Sequence, residues 1–313
     1  MTRLMRDPRR RGWLALTLTT SAVLAASVSA QRRPEVSTPA AARVETLPDA
    51  LTQMLDAERA FAARALEAGW KQAFLDYFAP AAIGFEHGAY GLAREQIREQ
   101  PDPPADHRLI WEPRTGDVSS SGEIGYLIGP SQSTLPSRDK GQPRHSVYAS
   151  IWKRQRDASF KVVLDMGVTT TAPAPFAQGF VRAPNADRFN GDYDDTTPPL
   201  AAADGVLNSD ARTSQAHAYR GRLATGARIH RPSLRPLVGE AAISRWLLTQ
   251  PAFAQADTLY AESARSGDLG FSWGAYQLGR KTATGAQGGF YVRVWTRERS
   301  GQWKVALDVL QPQ

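Results

Sequence analysis

The sequence predicts an α+β fold built twice, with helices first and an antiparallel sheet after them in each copy. Three observations carry this expectation. Leu51, Met54, Leu55, Phe61, Ala62 and Ala65 recur at helical spacing. Strand-like segments then follow the helices instead of alternating with them, which separates α+β from α/β. Finally, the chain repeats itself: "WKRQRDASFKVVLDMG" (152–167) is echoed by "WTRERSGQWKVALDVL" (295–310).

The echo extends upstream. "SGEIGYLIGP" (121–130) matches "SGDLGFSWGA" (266–275), "AFLDYFAPAAI" (73–83) matches "AYRGRLATGAR" (218–228), and "LDAERAF" (55–61) matches "AAADGVL" (201–207). Chance likeness of two hairpins would not produce four segments in one order at nearly one shift, so a duplicated domain is expected. The first copy is placed at 49–168 and the second at 198–313. Between them, 169–197 is rich in Pro, Thr, Asp and Asn and lacks a sustained period, which reads as a linker.

Within the first copy, Gly69 ends the opening helix and "WKQAFLDYFA" forms a second. "AIGFEHGAYG" is a short strand and turn, and "LAREQIREQ" a short helix closed by Pro101, Pro103 and Pro104. Four strands follow, near 108–118, 123–131, 144–155 and 159–167. In the last hairpin of the second copy, Phe290, Val292 and Val294 share a face with Trp303, Val305, Leu307 and Val309. A turn at Ser300-Gly301 sets Val294 opposite Leu307, Arg293 opposite Asp308 and Trp295 opposite Ala306. The same register in the first copy sets Ser150 opposite Asp165 and Trp152 opposite Val163. The aliphatic face is expected against the helices. The mixed face, with Tyr148, Trp152, Tyr291 and Trp295, is expected between the copies as an intrachain pseudo-dimer. Asp308 then reads as a surface ion pair worth under ~1 kcal/mol.

The first 30 residues read as a signal peptide: Arg3, Arg6, Arg9, Arg10 and Arg11, an apolar run, then Val28 and Ala30 before a cleavage point. Residues 31–48 form a flexible lead-in. The expected location is periplasmic or secreted, with no stable membrane span after cleavage. Cleavage takes the formal charge from +7 to +3, and no basic stripe remains to indicate a nucleic-acid partner. The 313-residue chain has no Cys, which excludes disulfides, thiolate catalysis and Cys–zinc sites.

The order of elements, the "AERAFA" opening, the "SGEIGY" strand start and the closing W-(K/T)-R…K-V-x-L-D hairpin resemble the nuclear transport factor 2-like, SnoaL-like superfamily, and within it a secreted bacterial branch of unknown function. The resemblance is stronger over 49–168 than over 198–310. It implies two cone-shaped domains, each a curved antiparallel sheet wrapped around N-terminal helices, with a pocket inside. Members include isomerases, dehydratases, cyclases, epoxide hydrolases and binding or assembly modules, so the fold does not set the function. The Asp/Tyr arrangement of its ketosteroid isomerases and the Asp–Arg–Asp set of its epoxide hydrolases do not map onto this chain.

Glu58 stands at the centre of the first helix's apolar stripe, and Asp204 takes the matching place in the second copy. A buried acid must be paired or its pKa rises, so Glu58 is a candidate either for acid/base work or for a hydrogen-bonding post. Glu86 and His87 in "FEHG" form a candidate proton-transfer pair near a pocket mouth. Glu58, His87, Asp204 and His230 are the candidate ligand-binding residues. No metal site and no cofactor are expected. A small hydrophobic molecule in an apolar pocket of each copy is the first functional expectation. The alternatives are a lyase-, isomerase- or hydrolase-type enzyme using those acids, and an interaction scaffold.

Overall fold

In a computed structural model of the chain, residues 47–86, 88–184, 186–191, 199–279 and 288–313 are described. All belong to one compact unit, Arg43–Gln313. The expected leader (1–30) and nearly all of the lead-in lie outside the described residues, as does His87. Among the described residues, no helix is long and apolar enough to cross a membrane.

The chain opens with α1 (Leu47–Ala68) and α2 (Trp70–Tyr77), then β1 (Phe78–Glu86), β2 (Ala89–Leu92), α3 (Ala93–Glu99), β3 (Arg108–Trp111), β4 (Thr115–Val118), β5 (Ile124–Thr134), α4 (Pro136–Asp139), β6 (Arg144–Arg154) and β7 (Phe160–Thr169). Gly69 separates the first two helices at φ 82°, a backbone state that only glycine adopts without strain. After β8 (Val181–Arg182), the second half holds α5 (Leu200–Ala211), α6 (Gln215–Tyr219), β9 (Leu223–His230), β10 (Leu237–Val238), α7 (Glu240–Leu247), β11 (Phe253–Ser263), β12 (Leu269–Leu278), β13 (Gly288–Arg297) and β14 (Trp303–Pro312). The strand expected near 108–118 is two strands, β3 and β4, both pairing with β5.

The two sheets share an order. The first runs β2-β1-β7-β6-β5-β4-β8, with β3 also on β5, and the second β10-β9-β14-β13-β12-β11. Pairing is antiparallel except at β1–β7, β9–β14 and the short β4–β8. Both sheets are thus closed by the strand that leaves the helices and returns beside the last strand.

Two β-bulges correct the expected register. Ser150 faces Asp165 and Arg293 faces Asp308, but Trp152 pairs with Val162 and Trp295 with Val305. The extra residues, Val163 and Ala306, stand in equivalent places. An inserted residue turns the following side chains to the other face. So Phe160 and Val162 belong to the helix-side core, whereas Leu164, Met166 and Val168 lie between the sheets. Likewise Trp303 and Val305 pack under the helices, and Leu307 and Val309 do not.

The faces themselves are opposite to the expectation. Tyr148, Trp152, Tyr291 and Trp295 pack on the helix side of their own sheets. The aliphatic rows meet instead: Ile151, Leu164 and Met166 share one core with Val292, Val294, Leu307 and Val309. A buried indole N–H needs an acceptor. Trp152 finds Glu58 and Trp295 finds Ser272, both inside the cones. The aliphatic rows need no partner, so they suit sheet-on-sheet packing.

The turns before β5 and β12 touch in exchanged pairs. Ser121 Oγ lies 3.1 Å from Ser266 Oγ, its own counterpart. Ser120 Oγ donates to Asp268 at 2.7 Å, and the Arg265 amide donates to Glu123 at 2.6 Å. This is the reciprocal pattern of a two-fold interface. The linking segment is held as well: Arg188 reaches Asp117 of the first half at 2.5 Å and Asp268 of the second at 3.5 Å.

Candidate functional site

In the first cone, α1 buries Leu51, Met54, Leu55, Phe61 and Ala65, and Glu58 on the same face has no solvent exposure. Trp111 Nε1 donates to one carboxyl oxygen at 2.5 Å and Trp152 Nε1 to the other at 2.8 Å. The Phe61 ring sits edge-on to Trp111 at 4.7 Å. Burial pushes the Glu58 carboxyl up to about 8, against the pull of the indole hydrogen bonds. Among the described residues no cation balances it, so it is held as a neutral acid at pH 7.

A cavity of about 270 Å³ opens beside this post, lined by Trp70, Phe74, Phe78, Phe85, Ile97 and Met166. Asp165 and Glu86 also reach it, while Glu58 is not among its lining residues. Asp165 accepts from Ser150 Oγ at 2.6 Å. Its carboxyl is partly open to the cavity, and the protein around it pushes it up to about 6. Glu86 is exposed at the rim. The β7 bulge is what aims Asp165 and Gly167 into the cavity together.

The second cone places a guanidinium where the first has Ser150. Arg293 Nη1 lies 2.7 Å from Asp204 and its Nε 2.6 Å from Asp308, all three fully buried. Arg231 adds an ion pair to Asp308 at 2.6 Å, and the Tyr219 hydroxyl donates to the same carboxylate. Tyr291 and Thr258 donate to Asp204 at 2.6 and 2.5 Å. Burial pushes Asp308 up, but Arg231 and Arg293 outweigh it and hold it below the usual carboxylate range. Asp308 is therefore not a surface ion pair of under ~1 kcal/mol. It belongs to a sealed network whose disruption is costly. The sequence set Arg293 opposite Asp308 but did not bring Asp204 to them, because the three come from α5, β13 and β14. None of the three lines a described cavity. Among the described residues, this network stands in the second half where Glu58, Ser150 and Asp165 stand in the first. A groove outside it, between α5 and β11, is walled by Asn208, Thr258 and Tyr260 among others.

The candidate residues therefore separate. Glu58 and Asp204 occupy equivalent interiors, and Glu86 sits at the rim of the first cavity. His230 is buried, but on the face of β9 opposite Ala227 and Ile229, which belong to the cone core. It faces the space between the sheets. Among the described residues, no group of His, Asp or Glu side chains could hold a metal ion. Sequence reading assigned Asp165 a structural bond only. The signal that could have raised it was the Ser150/Arg293 difference opposite two equivalent aspartates.

No family model matches the chain, and no curated protein matches it. Solved structures do. A nuclear transport factor 2-like superfamily protein from Salmonella enterica is 14% identical, with 42% of this chain and 96% of that chain covered and a TM-score of 0.31. The CaMKII hub of S. rosetta is 16% identical over 38% of this chain and 95% of its own, with a TM-score of 0.30. A protein of unknown function from Mycobacterium tuberculosis is 16% identical over 36% and 72%, with a TM-score of 0.29. At these scores the likeness carries nothing about the chemistry of the site.

Proposed function

We propose that this is an exported small-molecule-binding protein of the nuclear transport factor 2-like superfamily, with a working pocket in the first copy and a structural second copy. Export rests on the Arg-rich start and the small residues ending at Ala30, and mass spectrometry of native protein should find a new terminus at Gln31. Duplication rests on the shared strand order and equivalent bulges. The observation that carries the function is the contrast between interiors: the first cone has an aromatic-lined cavity reached by Asp165 and, at its rim, Glu86, while the second holds the ionic network of Arg293, Asp204 and Asp308. A space of about 270 Å³ suits a compact, largely apolar ligand with one polar group.

Trp70 in the cavity wall provides the readout. Naphthol should quench Trp fluorescence saturably in the native chain. Gly167→Trp should abolish this, since a Cβ at Gly167 meets only a backbone oxygen at 3.8 Å and the ring would enter the cavity. Its melting temperature should stay unchanged. Quenching that persists in the plugged variant would overturn the assignment.

The position of Asp165 supports a second reading, acid/base catalysis on the bound molecule. A carboxyl near 6 exchanges protons readily around neutral pH. Solvent-deuterium exchange into a bound ketone that is lost in Asp165→Asn, with binding retained, would favour it.

A further inference from the structure

A second cavity, of about 520 Å³, lies at the edge of the inter-sheet core. Its floor is apolar: Tyr126, Ile128 and Val147 from the first sheet, and Ala306 and Val238 from the second. The linking segment forms the remaining wall. That wall is set by β8, whose Val181 pairs with Thr115, and by Arg182, whose Nε bonds Asp117 at 2.8 Å. Pro184 seats against Gly226, where a Cβ would stand 2.9 Å from the proline ring. Gly226 also has φ 71°, so this close approach of linker and strand requires glycine.

The charged groups that line the cavity are all cationic. Arg114, Arg182 and Arg228 line it, and among the described residues no Asp or Glu does. Arg114 is engaged by Glu112 and Arg182 by Asp117. Arg228 has no hydrogen bond or ion pair among the described residues. His230, two positions along β9 and so ~7 Å away on the same face, is 3% exposed, and neither ring nitrogen has a partner. Arg182 Nη2 is also buried without one. Buried polar atoms are nearly always satisfied. The two buried orphans, His230 and Arg182 Nη2, face one apolar-floored space together with the half-buried, unpaired Arg228 guanidinium, which describes the complement of an anionic ligand.

We infer that this crevice binds a small organic carboxylate, its carboxylate on the Arg228 fork, its apolar body against Tyr126, Ile128 and Val147, and His230 bonding a second polar atom. Planar guanidinium matches carboxylate in a two-bond fork that lysine cannot reproduce. The site lies outside both cones, and it stands whether or not the first cone binds anything.

Calorimetry in the Gly167→Trp background, with the first cavity plugged, tests it. The probes are benzoate, naphthoate, biphenylcarboxylate and octanoate, each beside its primary amide. At least one acid should bind ten-fold or more tightly than its amide. Arg228→Gln should remove that preference with the melting temperature unchanged, Arg228→Lys should retain part of it, and His230→Phe should weaken the best acid three-fold or more. Should Arg228→Gln fail to fold, the Lys and Phe variants carry the test. Equal binding of acids and amides, no binding by any acid, or full preference retained in the Arg228 variants would overturn the inference.

Discussion

The interiors of the two cones differ at one decisive position. Both place an acid in the middle of the opening helix, Glu58 or Asp204, and a second on the last strand, Asp165 or Asp308. The strand residue between them is Ser150 in one and Arg293 in the other. With Ser150, the carboxyls go uncompensated, burial raises both, and a cavity remains. With Arg293, the last-strand carboxylate is held in its charged form within a buried network. One backbone plan therefore carries two raised carboxyls in one half and a compensated ionic network in the other.

The largest effect expected from breaking this contrast is Arg293→Ser. It gives the second cone the first cone's residue but leaves Asp204 and Asp308 buried without their central cation, with only Arg231 remaining on Asp308. Loss of one partner of such a network costs about 3–5 kcal/mol, to be measured by urea unfolding. A loss under about 1 kcal/mol would show that the network is not sealed.

Glu58 provides the matching test in the first cone. Glu58→Ala removes the acceptor of two buried indoles and opens a void, for an expected loss of about 2–4 kcal/mol. Glu58→Gln keeps the shape and one acceptor, and should lose about 1–2 kcal/mol. Equal losses would refute the hydrogen-bonding post.

The two interiors should also respond oppositely to pH. Folding raises Glu58 from 4.5 to about 8 and Asp165 from 3.8 to about 6. The folded chain keeps these protons where the unfolded chain has released them. Their stabilisation is complete below the unfolded values and is lost as pH rises through the folded ones. From pH 7 to 8 Glu58 should dominate, with a fall of at most about 1.4 kcal/mol per pH unit, absent in Glu58→Gln. Below about 6.5 His230, lowered by burial to about 3, has the opposite sign and offsets it. Asp308 has that other sign too: its contribution is present above the usual carboxylate range and disappears as acid protonates it. A native chain whose stability is flat from pH 7 to 8 would contradict the raised Glu58.

The smallest effect is expected from Asp165→Asn. The amide still accepts from Ser150, so stability should change by less than about 1 kcal/mol. A larger loss would mean that Asp165 belongs to the fold and not to the pocket.

The sequence by itself determined the order of helices and strands, the closing hairpin and the interior place of Glu58. These follow from local periodicity and from likeness between segments, both of which are written along the chain. Only the tertiary structure decided which sheet face turns inward. Side-chain alternation divides a strand into two rows but does not say which row meets the helices. Single-residue bulges at Val163 and Ala306 then exchange the rows midway, and no residue type marks them. The same is true of the sites. Asp165 reaches a cavity because a bulge aims it there, Arg293 joins acids from two other elements, and Arg228 and His230 share a crevice with the linking segment. Long-range packing, which sets burial and therefore charge state, brings such residues together, and it cannot be read from neighbours in sequence.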